Sequence, residues 1–177
     1  MPTSSIFRST RPPRGQEKNG LIICSGQPKG YIYTREEFPD FTLRCEFRYL
    51  PPTPPPDAAA SDKFNTGFMI YIQEPQKVWP ASLEVQGRFD EIASIKSNGG
   101  VPALKVQDDP QGRLGVRLPI GKWNAVEIVS RSGALSSTLN GMPICISQPG
   151  DLKSGRLGLQ SEGFEVQFKH RRQIACE

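Results

Sequence analysis

Glu84 and Gln86 are the first residues that could do chemistry. They alternate with Leu83 and Val85 in a five-residue run, so a period of two sends both polar side chains to one face and the apolar pair to the other. A carboxylate and a carboxamide on one strand face can move a proton or bind hydroxyls, and they can equally be an ordinary solvated sheet surface. Arg48 alternates with Glu46 and Arg44 opposite Phe41, Leu43, Cys45 and Phe47. It reads as an anion-holding fork or as half of a cross-strand ion pair. Asn65-Thr66-Gly67 precedes a strand and reads as a turn or as a polar rim, and Gln160 stays open between structure and binding. Trp79, in a polar, proline-flanked segment, and Tyr71 are the candidates for a flat ring under a ligand. Trp123, just before a strand, reads as a core anchor.

Several chemistries find no support. One histidine, His170, and four widely spaced cysteines (Cys24, Cys45, Cys145, Cys176) give no zinc spacing, and no metal site is expected. Asp108 and Asp109 beside Pro110 could contribute to a calcium site, but adjacent aspartates in a turn are more often only a turn. No Gly-x-Ser-x-Gly elbow and no phosphate-cradling glycine loop is found. The net charge of +4 is spread along the chain. Even the run Lys169-His170-Arg171-Arg172 reads as a solvated strand end, so nucleic acid is not an expected partner.

The elements that must position these residues are short strands. The 177 residues suit one domain, and 17 glycines with 17 prolines favour strands joined by tight turns. Residues 1–18 carry little periodicity and are expected to be a flexible lead-in to a domain over 19–177. Strands are predicted over 21–24, 31–34, 41–48, 67–73, 82–86, 124–130, 135–139, 144–147, 156–160 and 165–168. Ser132-Gly133 and Asn140-Gly141 supply turn signals. Residues 51–63, with five prolines, read as a mobile loop, and 90–96 as a helical turn or two with Phe89, Ile92 and Ala93 inward. About ten strands predict an all-β, two-sheet antiparallel sandwich or jelly roll. No stretch is long enough to span a membrane, and the expectation is a soluble protein. The sequence leaves oligomeric state open, and an extracytoplasmic place too, should a signal segment be missing from this chain.

An ordered set of short motifs resembles the 3-keto-disaccharide hydrolase family. It runs from Asn19-Gly20-Leu21-Ile22 and Tyr31-Ile32-Tyr33-Thr34 through Phe38-Pro39-Asp40-Phe41, Glu46-Phe47-Arg48, Asn65-Thr66-Gly67 and Leu83-Glu84-Val85-Gln86. It continues with Gly121-Lys122-Trp123-Asn124, Leu139-Asn140-Gly141, Gly155-Arg156-Leu157-Gly158-Leu159-Gln160 and Val166-Gln167-Phe168-Lys169. The resemblance implies a concanavalin-like jelly roll with one concave face and a saccharide or glycoside ligand. It also implies elimination next to a ketone at C3 of the sugar. Carried onto this chain, it makes Glu84 the base that takes the C2 proton and Arg48 the donor to the enolate oxygen. Asn65, Gln86 and Gln160 become polar contacts. The chain departs from the family in its first segment and at Lys169, where arginine is typical. It also has Glu162 where Leu-Gln-x-His-Gly would place histidine. Glu162 could take that histidine's role; a carbohydrate-binding module without catalysis is the alternative.

Overall fold

The computed structural model describes residues 7–9, 15–54, 56–75, 77–169 and 174–175. Fifteen strands among these make two sheets. They are β1 (Phe7–Ser9), β2 (Gly15–Lys18), β3 (Leu21–Cys24), β4 (Gly30–Thr34), β5 (Phe41–Tyr49), β6 (Gly67–Ile72), β7 (Ser82–Gln86) and β8 (Ile95–Asn98). After them come β9 (Val106–Asp108), β10 (Asn124–Arg131), β11 (Ala134–Leu139), β12 (Met142–Ser147), β13 (Arg156–Ser161), β14 (Val166–Lys169) and β15 (Ile174–Ala175). The six-stranded sheet runs β1-β4-β13-β6-β7-β8. The nine-stranded sheet runs β2-β3-β14-β5-β10-β11-β12-β9, with β15 also on β5. Every pairing is antiparallel, which makes the expected sandwich.

Alternation builds the core. On β5, Phe41, Phe47 and Tyr49 are buried while Arg44 is exposed. Phe47 packs edge-on to Phe68 of β6, ring centroids 5.6 Å apart, and stacks on Phe168 of β14 at 6.2 Å. These rings join the two sheets. Sheets packed this way lie about 10 Å apart, so outward side chains of one sheet are far from those of the other.

Two-residue turns set the hairpins. Asn140 and Gly141 have φ of +50° and +87°, and Ser132 and Gly133 +50° and +85°, both central residues positive as a type I′ turn requires. Asn19 and Gly20 repeat the pattern at +54° and +74° and fold β2 back on β3. That corrects the expected lead-in: residues 1–18 contribute β1, paired with β4, and β2. Gly15–Lys18 lacks apolar alternation, which is why it did not read as a strand.

Other differences are local. The proline-rich segment contains α1 (Ala58–Ser61), with Asp57 Oδ1 accepting from Ala60 N at 2.7 Å. The predicted helical turn is a 3₁₀ turn at Phe89–Glu91, after which the chain becomes β8. Asp109 caps α2 (Pro110–Val116) by accepting from Gly112 N at 2.8 Å, and Asp108 pairs with the buried Arg113. The adjacent aspartates serve as a helix cap and an ion-pair partner. Among the described residues, Cys24, Cys45 and Cys145 are free thiols, and no cluster of three or more His, Cys, Asp or Glu is placed to hold a metal. No helix among them is long and apolar enough to cross a membrane. His170 and Cys176 lie outside the described residues.

Phe47→Ala removes the ring that links both sheets and is expected to cost about 3–5 kcal/mol, read as a lower denaturant midpoint. A loss under about 1 kcal/mol would contradict this packing.

Candidate active site on the outer face of the six-stranded sheet

The register of the six-stranded sheet aligns the candidate residues in rows. Gln160 of β13 faces Tyr31 of β4, and Gly67 of β6 faces Gln86 of β7. One step along, Tyr33, Gly158, Met69, Glu84 and Lys96 succeed one another across β4, β13, β6, β7 and β8. Leu83, Val85, Leu157 and Leu159 point into the core. By alternation Glu84, Gln86, Gln160 and Glu162 point to the outer face. Glu84, Gln86 and Gln160 are nonetheless buried there, at 5%, 7% and 1% exposure.

Gly67 lets two of these side chains meet. A Cβ at this position would collide with Glu84 Oε1 and stand 2.7 Å from Gln160 Oε1. Any larger residue would push the carboxylate and the carboxamide apart. Asn98 of β8 donates to the other carboxylate oxygen, Glu84 Oε2, at 2.6 Å. Thr66 ties the strand before Gly67 to β13 by donating to Gln160 O at 2.8 Å. Two acceptors here have no partner: Gln160 Oε1 and Asn65 Oδ1, both buried. Gln86 has a different task, since its Oε1 accepts from Gly87 N and Arg88 N, each at 2.9 Å, and locks the turn after β7.

Charge follows from burial. Desolvation pushes the Glu84 carboxyl from its ordinary 4.5 up to about 7, with Glu162 adding repulsion. Hydrogen bonds from Asn98 and Gln160 and the charge of Lys96 oppose the rise. Glu162 is also raised by burial, opposed by Lys29, whose Nζ lies 3.8 Å from Glu162 Oε1. Lys96 is bound to Glu91 at 2.6 Å. The face thus holds two carboxyls that keep protons beyond the usual range, with a lysine beside each.

Beside them lies an apolar floor of Tyr31, Tyr33, Met69 and Ile72. The segment between β6 and β7 crosses onto it, where Tyr31 Oη donates to Lys77 O at 3.0 Å. Trp79, 38% exposed, belongs to that segment.

Two expected residues are elsewhere. Arg48 lies on the outer face of the other sheet, because its neighbour Phe47 is in the core. There it donates to Gln167 Oε1 from Nε at 3.0 Å and from Nη2 at 2.9 Å, and covers the Trp123 ring at 4.6 Å. It cannot share a pocket with Glu84 and Gln160. Parity was legible in the sequence, but not which sheet β5 would join. Trp123, the expected core anchor, lies on that same outer face, between Arg48 and Lys169, whose Nζ stands 4.3 Å from its ring. Tyr71 is not a platform either. It is fully buried, and its hydroxyl bonds to Pro39 O and Ser130 Oγ. A bulge with Tyr71 at φ +56° breaks the alternation of β6 and turns the ring into the core.

Sequence reasoning missed Asn98, Lys96 and Lys29. Lys96 and Asn98 share a face by the period of two, a signal hidden by the helical reading of 90–96.

The two antiparallel sheets place the chain among jelly-roll sandwiches. The family model for the 3-keto-alpha-glucoside-1,2-lyase-like domain matches residues 6–172, and the chain belongs to that family. Solved structures share the fold. A "putative glycosyl hydrolase" from Parabacteroides distasonis ATCC 8503 is 17% identical with TM-score 0.61, covering 89% of this chain and 82% of its own. Carbohydrate-binding module CBM66 from Bacillus subtilis is 10% identical with TM-score 0.63, covering 96% and 93%. A protein of unknown function with a galectin-like fold from Bacillus subtilis is 11% identical with TM-score 0.58, covering 97% and 90%. No curated protein matches the chain.

The raised Glu84 carboxyl has a consequence for stability. Between about pH 4.5 and 7 the folded chain holds a proton that the unfolded chain has released, so stability falls as pH rises. The loss through this group is up to about 3 kcal/mol. Glu84→Gln is expected to flatten that fall, seen by comparing denaturant midpoints at pH 5 and 8. An unchanged pH slope would contradict the assignment.

Proposed function

We propose that this domain eliminates the C1 substituent of glycosides whose C3 hydroxyl has been oxidised to a ketone, with Glu84 as base. The observation that carries the reading is a buried carboxyl that desolvation pushes up to about 7, with Asn98 donating to Oε2 and Oε1 set above Gly67. A base near neutrality is half ionised at working pH, the condition under which general-base catalysis is most effective.

The chemistry follows from the ketone. It acidifies the C2 hydrogen; Glu84 takes this proton, C1=C2 forms and the C1–O bond breaks. Glu162, raised by desolvation, is the group proposed to hand a proton to the leaving oxygen. At the position where the family has histidine, this chain offers a carboxyl whose pKa desolvation raises. Positive charge for the developing enolate oxygen comes from Lys96 beside Glu84 and Lys29 beside Glu162, in place of Arg48. The exposed Trp79 ring and the Asn65 acceptor are suited to the rest of the saccharide.

The test is incubation with 3-keto-trehalose and a 3-keto-β-glucoside, following release by mass spectrometry. Release is expected to rise with pH around an apparent pKa near 7 and to fall roughly 10²–10⁴-fold in Glu84→Gln. Arg48→Ala is expected to leave kcat/KM within about threefold, a change of under about 1 kcal/mol in transition-state stabilisation. Binding without release would make the domain a carbohydrate-binding module on the same fold.

A further inference from the structure

Among the described residues, the nine-stranded sheet ends in an edge that nothing covers. β9 is its last strand, and β12 is the strand it pairs with there. Every residue from Lys105 to Gln111 is exposed. Ile146 of β12, 52% exposed, stands across the ladder from Gln107, and Met142 of the same strand is also exposed. An open edge with apolar side chains beside it is a template for another strand. α2 does not shield it, because Arg113 Nε donates to Ile92 O at 2.7 Å and carries the helix toward the core.

The hydrogen bonds show which groups this edge offers. Gln148 N donates to Lys105 O and Asp109 N donates to Ile144 O, each at 2.8 Å. In an antiparallel ladder alternate residues bond to the same neighbour, so Lys105, Gln107 and Asp109 turn their backbone groups to β12. Val106 and Asp108, between them, turn theirs outward. The charges are ordered too, with Lys105 before the strand and Asp108-Asp109 at its end.

We infer that this edge pairs with a second copy of the chain, β9 against β9, antiparallel and centred on Gln107. In that register Val106 faces Asp108 of the other copy, and the two exchange both N–H···O bonds through their outward groups. Lys105 faces Asp109, an opposite-charge pair at each end. The neighbouring registers do worse. Centring on Asp108 sets aspartate against aspartate and Val106 against Pro110, which has no N–H; centring on Val106 leaves Lys105 opposite Gln107. The two-fold axis stands perpendicular to the sheet, so the nine-stranded sheets continue one another. Both Glu84-bearing faces then look the same way, and the dimer presents its two sites on one side. The pairing itself does not depend on what Glu84 does.

Sedimentation velocity of the full chain from about 10 μM to 1 mM tests it, a range that reaches small, transient interfaces. The unaltered protein is expected to pass from monomer toward dimer as concentration rises. Val106→Pro deletes an outward N–H that β12 does not use, a change edge strands tolerate, and is expected to weaken the dimer about tenfold or more. Lys105→Glu, at an exposed side chain, sets like charges at both ends and is expected to weaken it similarly. Gln107→Cys is expected to give, on mild oxidation, a dimer linked at position 107, read by peptide mass spectrometry, because residues facing at the centre of such a pair lie within disulfide reach. A monomer across the whole range overturns the inference. So does a dimer that Lys105→Glu leaves equally tight, even if Val106→Pro fails to fold, or one whose Gln107→Cys form does not cross-link.

Discussion

A carboxylate removed from water is costly unless something replaces its hydration, and in this fold the replacement is partial. Glu84 is 5% exposed, pinned at Oε2 by Asn98 and touched by the Gln160 amide, with Lys96 one strand away. These partners lower the penalty without abolishing it, and desolvation still pushes the carboxyl up to about 7. The rest of the site is arranged around that constraint. Gly67 provides the space, Thr66 ties its strand to β13, and antiparallel register sets Glu84 and Lys96 opposite each other. The sandwich core enters because Leu83, Val85, Leu157 and Leu159 must join Phe47, Phe68 and Phe168 in the core for Glu84 and Gln160 to face away.

Much of this was legible in the residues. Alternation in 41–48 and 82–86 and the Asn-Gly turn signal point to paired antiparallel strands, and the structure has them where expected. Glu84 and Gln160 could be singled out because strand parity separates them from apolar neighbours. What parity cannot reveal is sheet membership. Arg48 and Glu84 are both outward, yet on opposite sides of the molecule, since β5 hydrogen-bonds to β10 and β14 while β7 joins β6 and β8. Tyr71 failed for another reason. A bulge adds one residue to β6, and nothing local announces it beyond a positive φ that tyrosine seldom adopts.

The outer face of the nine-stranded sheet has a different physical character. Arg44 pairs with Glu127 at 2.5 Å, Lys169 with Glu46 at 2.5 Å, and Trp123 lies under two cations. Donors and acceptors there meet one another, as on a closed protein surface. On the six-stranded sheet, Gln160 Oε1 and Asn65 Oδ1 do not. That contrast, rather than the presence of charge, distinguishes a face suited to a ligand from one that stabilises a sheet, and it is why residues resembling a family motif can end in either role.

The central claim is that Glu84 removes hydrogen from the carbon beside the ketone, and solvent exchange tests it directly. A 3-keto-β-glucoside labelled with deuterium at C2 would be followed by NMR in ordinary water with the unaltered protein and with Glu84→Gln. The account predicts loss of the label from C2, or a primary isotope effect on release, with the unaltered protein, and neither with the variant. Release of the C1 substituent with the C2 deuterium retained and no isotope effect would contradict it.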